Sequence, residues 1–219
     1  MSGQGGTQGA AKTLSIVGLG GSLRPTSSSR AALKTALDGA AEAGAKVELL
    51  DLRQLDLPMY DPGSDNVPES VTRFAETVYA ADGMIWSSPL YQGSISGSFK
   101  NALDWLIVLG KREPPYLTDQ FIGLISVAGG TQGLQAINTM EFIVRALRAW
   151  AVPLVVPIPQ SWQAFEDSGR PANPQIEEPL RTLGGEVVRV ARRFARNDVT
   201  DPGAACAAAA NRLALVAKA

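Results

Sequence analysis

Histidine is missing from all 219 residues of this chain. Its absence excludes Ser-His-Asp and Cys-His nucleophilic catalysis, and with them zinc or iron centres built on imidazole. The single cysteine, Cys206, has no partner for an intrachain disulfide and suits a reducing compartment. Net charge is only −1, which gives no electrostatic footprint for nucleic acid or an anionic membrane surface. No apolar run approaches the roughly 18 residues that read as a transmembrane helix. Residues 2–11 hold Gly, Gln, Ser, Thr and Ala without the apolar stretch of a signal peptide. The expectation is a cytoplasmic protein with no membrane or nucleic-acid partner. Its chemistry must rest on carboxylates, hydroxyls, Arg or Lys, backbone dipoles or a bound cofactor.

What is present is a regular alternation. Apolar runs at Leu14–Leu19, Val47–Asp51, Gly83–Ser87, Phe121–Val127 and Val152–Ile158 read as strands. Helical spacing follows each of them. Leu33, Ala36, Leu37, Ala40 and Ala41 run toward a stop near Gly44, and Val71, Phe74, Ala75 and Val78 make the next stripe. Phe99, Leu103, Leu106 and Ile107 make a third, and residues 134–147 and 183–194 carry two more. Strands alternating with helices imply a parallel sheet with right-handed crossovers and helices on both faces. Pro153 and Pro157 place the last strand at the sheet edge. Residues 1–11 read as a disordered tail and 12–198 as one domain. The Ala-rich 199–219 read as a second tail, with Leu213, Leu215 and Val216 as docking residues if it forms a helix.

Three loops stand out because ligands of open α/β sheets collect beyond the carboxyl ends of the strands. The first runs from Gly20 to Arg30. Its glycine pair lets backbone approach a phosphate, Ser22, Ser27 and Ser29 add hydroxyls, and Arg24 adds a charged fork. Ser28 or Ser29 is placed to cap the following helix. The same loop also reads as a plain polar turn. A dinucleotide fingerprint starting at Gly18-x-Gly20 fails because Leu23 stands where its third glycine belongs. Asp51, placed as a ribose partner would be, reads instead as a loop residue. The second loop opens at Ser88 and holds Pro89, Leu90, Tyr91, Gly93 and Ser94; Tyr91 reads either as a wall for a ring or as a core or interface aromatic. The third holds Gly129, Gly130 and Gly133, either with N–H groups open to a ligand or as a generic turn. Residues 111–116 read as a solvated turn, with an acceptor-shaping loop as the alternative.

Gly21-Ser22-Leu23-Arg24 with Ser27 and Ser29, the stretch from Ser88 to Trp105, and Gly129-Gly130 with Gly133 together resemble the NAD(P)H-dependent FMN reductase family. The likeness spans roughly residues 13–160. It implies a flavodoxin-like three-layer α/β sandwich with a five-stranded parallel sheet ordered 2-1-3-4-5. It implies FMN and NADPH or NADH as cofactors. Ser22, Arg24, Ser27 and Ser29 would hold the FMN phosphate; Pro89, Leu90, Tyr91 and Gly93 would line the ribityl chain and ring; Gly129, Gly130 and Gly133 would edge the isoalloxazine. No side chain is assigned as a catalytic acid or base. The reaction implied is hydride transfer from reduced nicotinamide to FMN, then to a small-molecule electron acceptor: free flavin, a quinone, an azo compound or a metal oxyanion. A homodimer or homotetramer is implied, with Phe99 and Trp105 as candidate contacts. The rival reading is a non-enzymatic flavodoxin-like electron carrier.

Overall fold

The computed structural model describes residues 12–197. The expected tails at 1–11 and 199–219, and Cys206 with them, lie outside the described residues. The first strand, β1 (Ser15–Gly20), is buried over almost its whole length, as a central strand covered on both faces must be. It lies between β2 (Lys46–Asp51) and β3 (Gly83–Tyr91). β5 (Phe121–Val127) and β6 (Trp150–Ile158) extend the sheet beyond β3, giving the order β2-β1-β3-β5-β6 with every pairing along it parallel. β6 is the edge strand, where its two prolines lose no ladder bond that the sheet needs.

The sheet has six strands rather than the expected five. The pattern ended the third strand at Ser87, but β3 continues to Tyr91 and turns back as β4 (Ser94–Ile95). Gln92 and Gly93 carry φ of 49° and 84°, so both centres of the two-residue turn are left-handed. Such turns match the twist of a hairpin, and Leu90 pairs with Ile95 across this one. With β4 set aside, the order is the expected one.

Helices cover both faces. α1 (Ser28–Glu42) and α6 (Pro174–Asn197) pack on one side, where Leu33, Leu37, Leu183 and Val187 bury against Ile16, Ile85 and Ile125. A methyl group on Gly39 would overlap the Arg181 carbonyl, and one on Gly184 would overlap that of Ala36, so the two helices cross at backbone contact. A single turn, α2 (Leu52–Leu55), follows β2. α3 (Glu69–Tyr79), α4 (Gly97–Trp105) and α5 (Leu134–Ala146) cover the opposite face around Trp86, Phe74, Phe99 and Met140.

Two expectations are corrected on this face. Phe99 and Trp105 are 0% and 4% exposed, so neither is available for contact with another copy. Helical spacing turns both inward: Phe99 meets Trp86 edge-on, and the Trp105 indole N–H donates to the Pro58 carbonyl at 2.8 Å. The alternative role of residues 111–116 also falls away. They lead toward the start of β5, where the Tyr79 hydroxyl donates to the Pro114 carbonyl at 2.9 Å and Arg112 pairs with Glu76. That is the amino end of the sheet, opposite the loops that follow β1, β3 and β5.

Candidate functional site

The loop after β1 is shaped by its neighbours. A methyl on Gly20 would strike the Ser87 carbonyl oxygen, so only glycine lets β1 lie this close to β3. Gly21 then turns at φ 98° and donates its N–H to the same carbonyl at 3.2 Å. Ser27 is the N-cap of α1: its hydroxyl oxygen accepts from the Arg30 N–H at 3.2 Å and lies 3.0 Å from the Ser29 hydroxyl. Ser22 and Ser29 are buried, at 5% and 2% exposure. Ser22 accepts from the Arg24 N–H at 3.3 Å, which leaves its own proton to give. Arg24 is exposed and has no ion pair among the described residues. The first N–H groups of a helix have no intrahelical acceptor, and α1 is long enough to present a full dipole end here.

Three charged residues that carry no role in the sequence reading hold this loop. Asp51, at the end of β2, is 3% exposed. Its carboxylate accepts from the Arg53 N–H at 3.0 Å and from the Arg30 guanidinium at 3.1 Å. Arg30 also donates to the Pro25 carbonyl at 3.3 Å, and the Arg53 guanidinium donates to the Leu23 carbonyl at 2.6 Å. The one available signal was an aspartate ending the second strand.

The second loop is largely strand. Pro89 is buried and in register with Val127; Leu90 is half-buried. Tyr91, 49% exposed, and Gly93 form the hairpin tip. Ser88 faces inward, accepting from the Ser96 N–H at 3.0 Å. The hairpin leans on α5, with 3.4 Å between the Ser94 and Thr139 hydroxyls. In the third loop Gly129 and Gly130 are exposed. A methyl on Gly129 would meet nothing within 4 Å, and one on Gly130 only the Gln132 side chain. Gly133 differs. It is buried, its carbonyl accepts from the Ser126 hydroxyl at 2.7 Å, and a methyl there would lie 2.9 Å from that oxygen and 3.1 Å from Pro157. Packing accounts for Gly133.

Residues 160–162 bridge the first and third loops. The Ser161 N–H donates to the Ala128 carbonyl at 3.0 Å, its carbonyl accepts from the Ser28 hydroxyl at 3.5 Å, and the Gln160 N–H reaches Gly130 at 3.4 Å. Trp162, 69% exposed, follows. No motif marks this segment beyond an aromatic in a polar loop. A cleft of about 680 Å³ runs along β6 between Pro157, Gln163 and Ile176; it lies beside the third loop.

The donor set fits a phosphate ester bearing a flat ring. Hydroxyls with protons to give, a helix N-terminus and an unpaired guanidinium gather at one loop, while two open glycines stand at the end of β5, the strand beyond β3. A parallel sheet with such loops at its carboxyl end defines a flavodoxin-like flavin-binding protein. Residues 14–163 match the family model described as NADPH-dependent FMN reductase. The chain belongs to that family: it is an oxidoreductase whose cofactors are FMN and NAD(P)H. It is 29% identical over 178 residues to a probable NADPH:quinone oxidoreductase 2 of Oryza sativa, covering 78% of this chain and 86% of that protein. It is 31% identical to the NADPH-dependent FMN reductase ArsH of Acidithiobacillus ferrooxidans over 52% of this chain, a match that spans 47% of ArsH. The structure of FerB, a flavoenzyme NAD(P)H:(acceptor) oxidoreductase from Paracoccus denitrificans, superposes with a TM-score of 0.68 at 20% identity, covering 83% of this chain and 98% of that one. At that identity the superposition speaks for the fold. Among the described residues no helix is long and apolar enough to cross a membrane.

Proposed function

We propose that the three loops hold FMN and that the protein passes electrons from NAD(P)H through it to a small-molecule acceptor, a quinone first among the candidates. The observation that carries this reading is the cluster of Ser22, Ser27 and Ser29 at the N-terminus of α1, with Arg24 unpaired beside it. When bound, FMN supplies the two-electron chemistry that the side chains lack. The residues' part is binding and orientation. Ser22 and Ser29 donate hydroxyl protons to the phosphate, the α1 dipole favours its charge, and Arg24 closes over it. Pro89 and Leu90 form the floor beside the ribityl chain, and Tyr91 a wall of the ring pocket. Gly129 and Gly130 let backbone N–H groups reach the ring edge, where they balance negative charge on reduction. Ser161 ties the first loop to the third and so fixes the spacing between phosphate and ring sites.

The quinone acceptor draws its support from the rice relative's name. A homodimer or homotetramer belongs to the reading: Phe142, Trp150 and Trp162, at 72%, 55% and 69% exposure, offer apolar surface for such contacts. A cytoplasmic location follows from dependence on reduced nicotinamide. The test is a spectrum followed by turnover. Purified protein, reconstituted with FMN, should show bound-flavin absorbance, bleach under anaerobic NADPH and regain colour when benzoquinone is added. Protein that stays oxidised under NADPH but accepts electrons from dithionite would be a carrier instead.

A further inference from the structure

We infer that Asp51 and Arg30, with Arg53, are positioning residues that preset the first loop for a phosphate. This rests on the FMN reading above and adds residues that never touch the ligand. A carboxylate next to an anion site is unfavourable unless its charge is taken up elsewhere. Asp51 lies close to the loop, since a methyl on Gly21 would sit 3.3 Å from its Oδ1. Yet both its oxygens are engaged, Oδ1 by the Arg53 N–H at 3.0 Å and Oδ2 by the Arg30 guanidinium at 3.1 Å. The carboxylate is 2% exposed and its Arg30 partner 39%, so the pair is desolvated on the acid side.

The guanidinium groups act on the loop itself. Arg30 holds the Pro25 carbonyl at 3.3 Å and Arg53 holds that of Leu23 at 2.6 Å. A carbonyl bonded to a cation cannot turn its lone pairs toward an incoming anion. With those two oxygens held, fewer carbonyls compete with the loop's N–H groups and hydroxyls for the ligand's side. Asp51 anchors Arg30 by its guanidinium and Arg53 by its backbone N–H, and the two guanidinium groups orient the loop. Two guanidinium groups against one carboxylate also leave net positive charge behind the site. The order β1–loop–α1–β2 makes this possible: Arg30 comes from the first turn of α1, Asp51 from the end of the strand beside β1, and Arg53 from the turn after it.

Riboflavin, which has the same ring without the phosphate, separates this role from a general one. Dissociation constants of FMN and riboflavin are measured by flavin fluorescence for the unaltered protein, Arg30→Gln, Arg53→Ala and Asp51→Asn, with the phosphorus resonance of bound FMN as a second readout. Arg30→Gln should weaken FMN about tenfold, leave riboflavin unchanged and shift the phosphorus line. Arg53→Ala should act in the same direction, which keeps the test alive if Asp51→Asn fails to fold. Equal losses for FMN and riboflavin, or no loss for either, would overturn the brace. If the unaltered protein binds FMN no better than riboflavin, the phosphate site itself is misplaced and the FMN reading fails first.

Discussion

Arg24 and Ser22 sit two positions apart and differ in what the fold asks of them. Ser22 is buried with its proton uncommitted, whereas Arg24 reaches into solvent with no partner among the described residues. Exposed arginines are commonplace, but this one stands beside a helix N-terminus and two buried hydroxyls. Arg24→Ala should weaken FMN binding by about 1.5–3 kcal/mol, the scale of a charged hydrogen bond, without changing the melting temperature; a fluorescence titration and a melt check both halves. Gly129→Ala makes the complementary case. Its methyl would meet no protein atom within 4 Å, so stability should hold. FMN affinity should fall on the order of tenfold if the ring edge lies there. The proposed phosphate loop is legible in the sequence as a candidate because its serines, glycines and arginine stand within a few positions of one another. Asp51, Arg30 and Arg53 were not, because their bonds join β2 to the loop after β1, a pairing that sequence spacing does not display. Gly133 is ambiguous for a related reason: in sequence, a glycine after a strand looks the same whether a ligand or Pro157 fills the space beside it.

At the scale of elements, the helix crossing on the α1/α6 face is the most brittle contact. Gly184→Ala would drive a methyl into the Ala36 carbonyl, which helix backbone cannot yield without moving α6. The loss should reach about 3 kcal/mol, the upper end of overpacking costs, read as a lower denaturant midpoint. Gly93→Ala tests the hairpin. At φ of 84° alanine is strained, so a loss of about 1 kcal/mol is expected, and the Tyr91 tip should lose its fixed position. The strands and helices themselves were readable from periodicity. β5 falls on the residues that the apolar run marked, and the two prolines of β6 put it at the edge. The β3–β4 hairpin was hidden because Gln92-Gly93 is a weaker turn signal than Asn-Gly, and because Ser88 looks like a loop residue although it is buried in the sheet. Phe99 and Trp105 are candidate subunit contacts only through the family resemblance; aromatic residues suit interfaces and cores alike, and the face of α4 they occupy decides for the core.

For the whole molecule, a parallel sheet, loops at its carboxyl end and a chain without histidine fit one scheme, in which the protein binds and aligns while the cofactor reacts. Light scattering should give two or four copies per particle if the exposed Phe142, Trp150 and Trp162 serve assembly, and Trp150→Glu should then lower that number. A panel of quinone, azo and flavin acceptors would separate the candidate substrates but would not bear on where FMN sits. The central claim is positional, and a crystal structure of the FMN complex tests it most directly. The phosphate should lie within hydrogen-bond reach of the Ser22, Ser27 and Ser29 hydroxyls, with the ring against Gly129 and Gly130. A phosphate found in the cleft beside β6, with the serine loop closed on itself, would contradict the account.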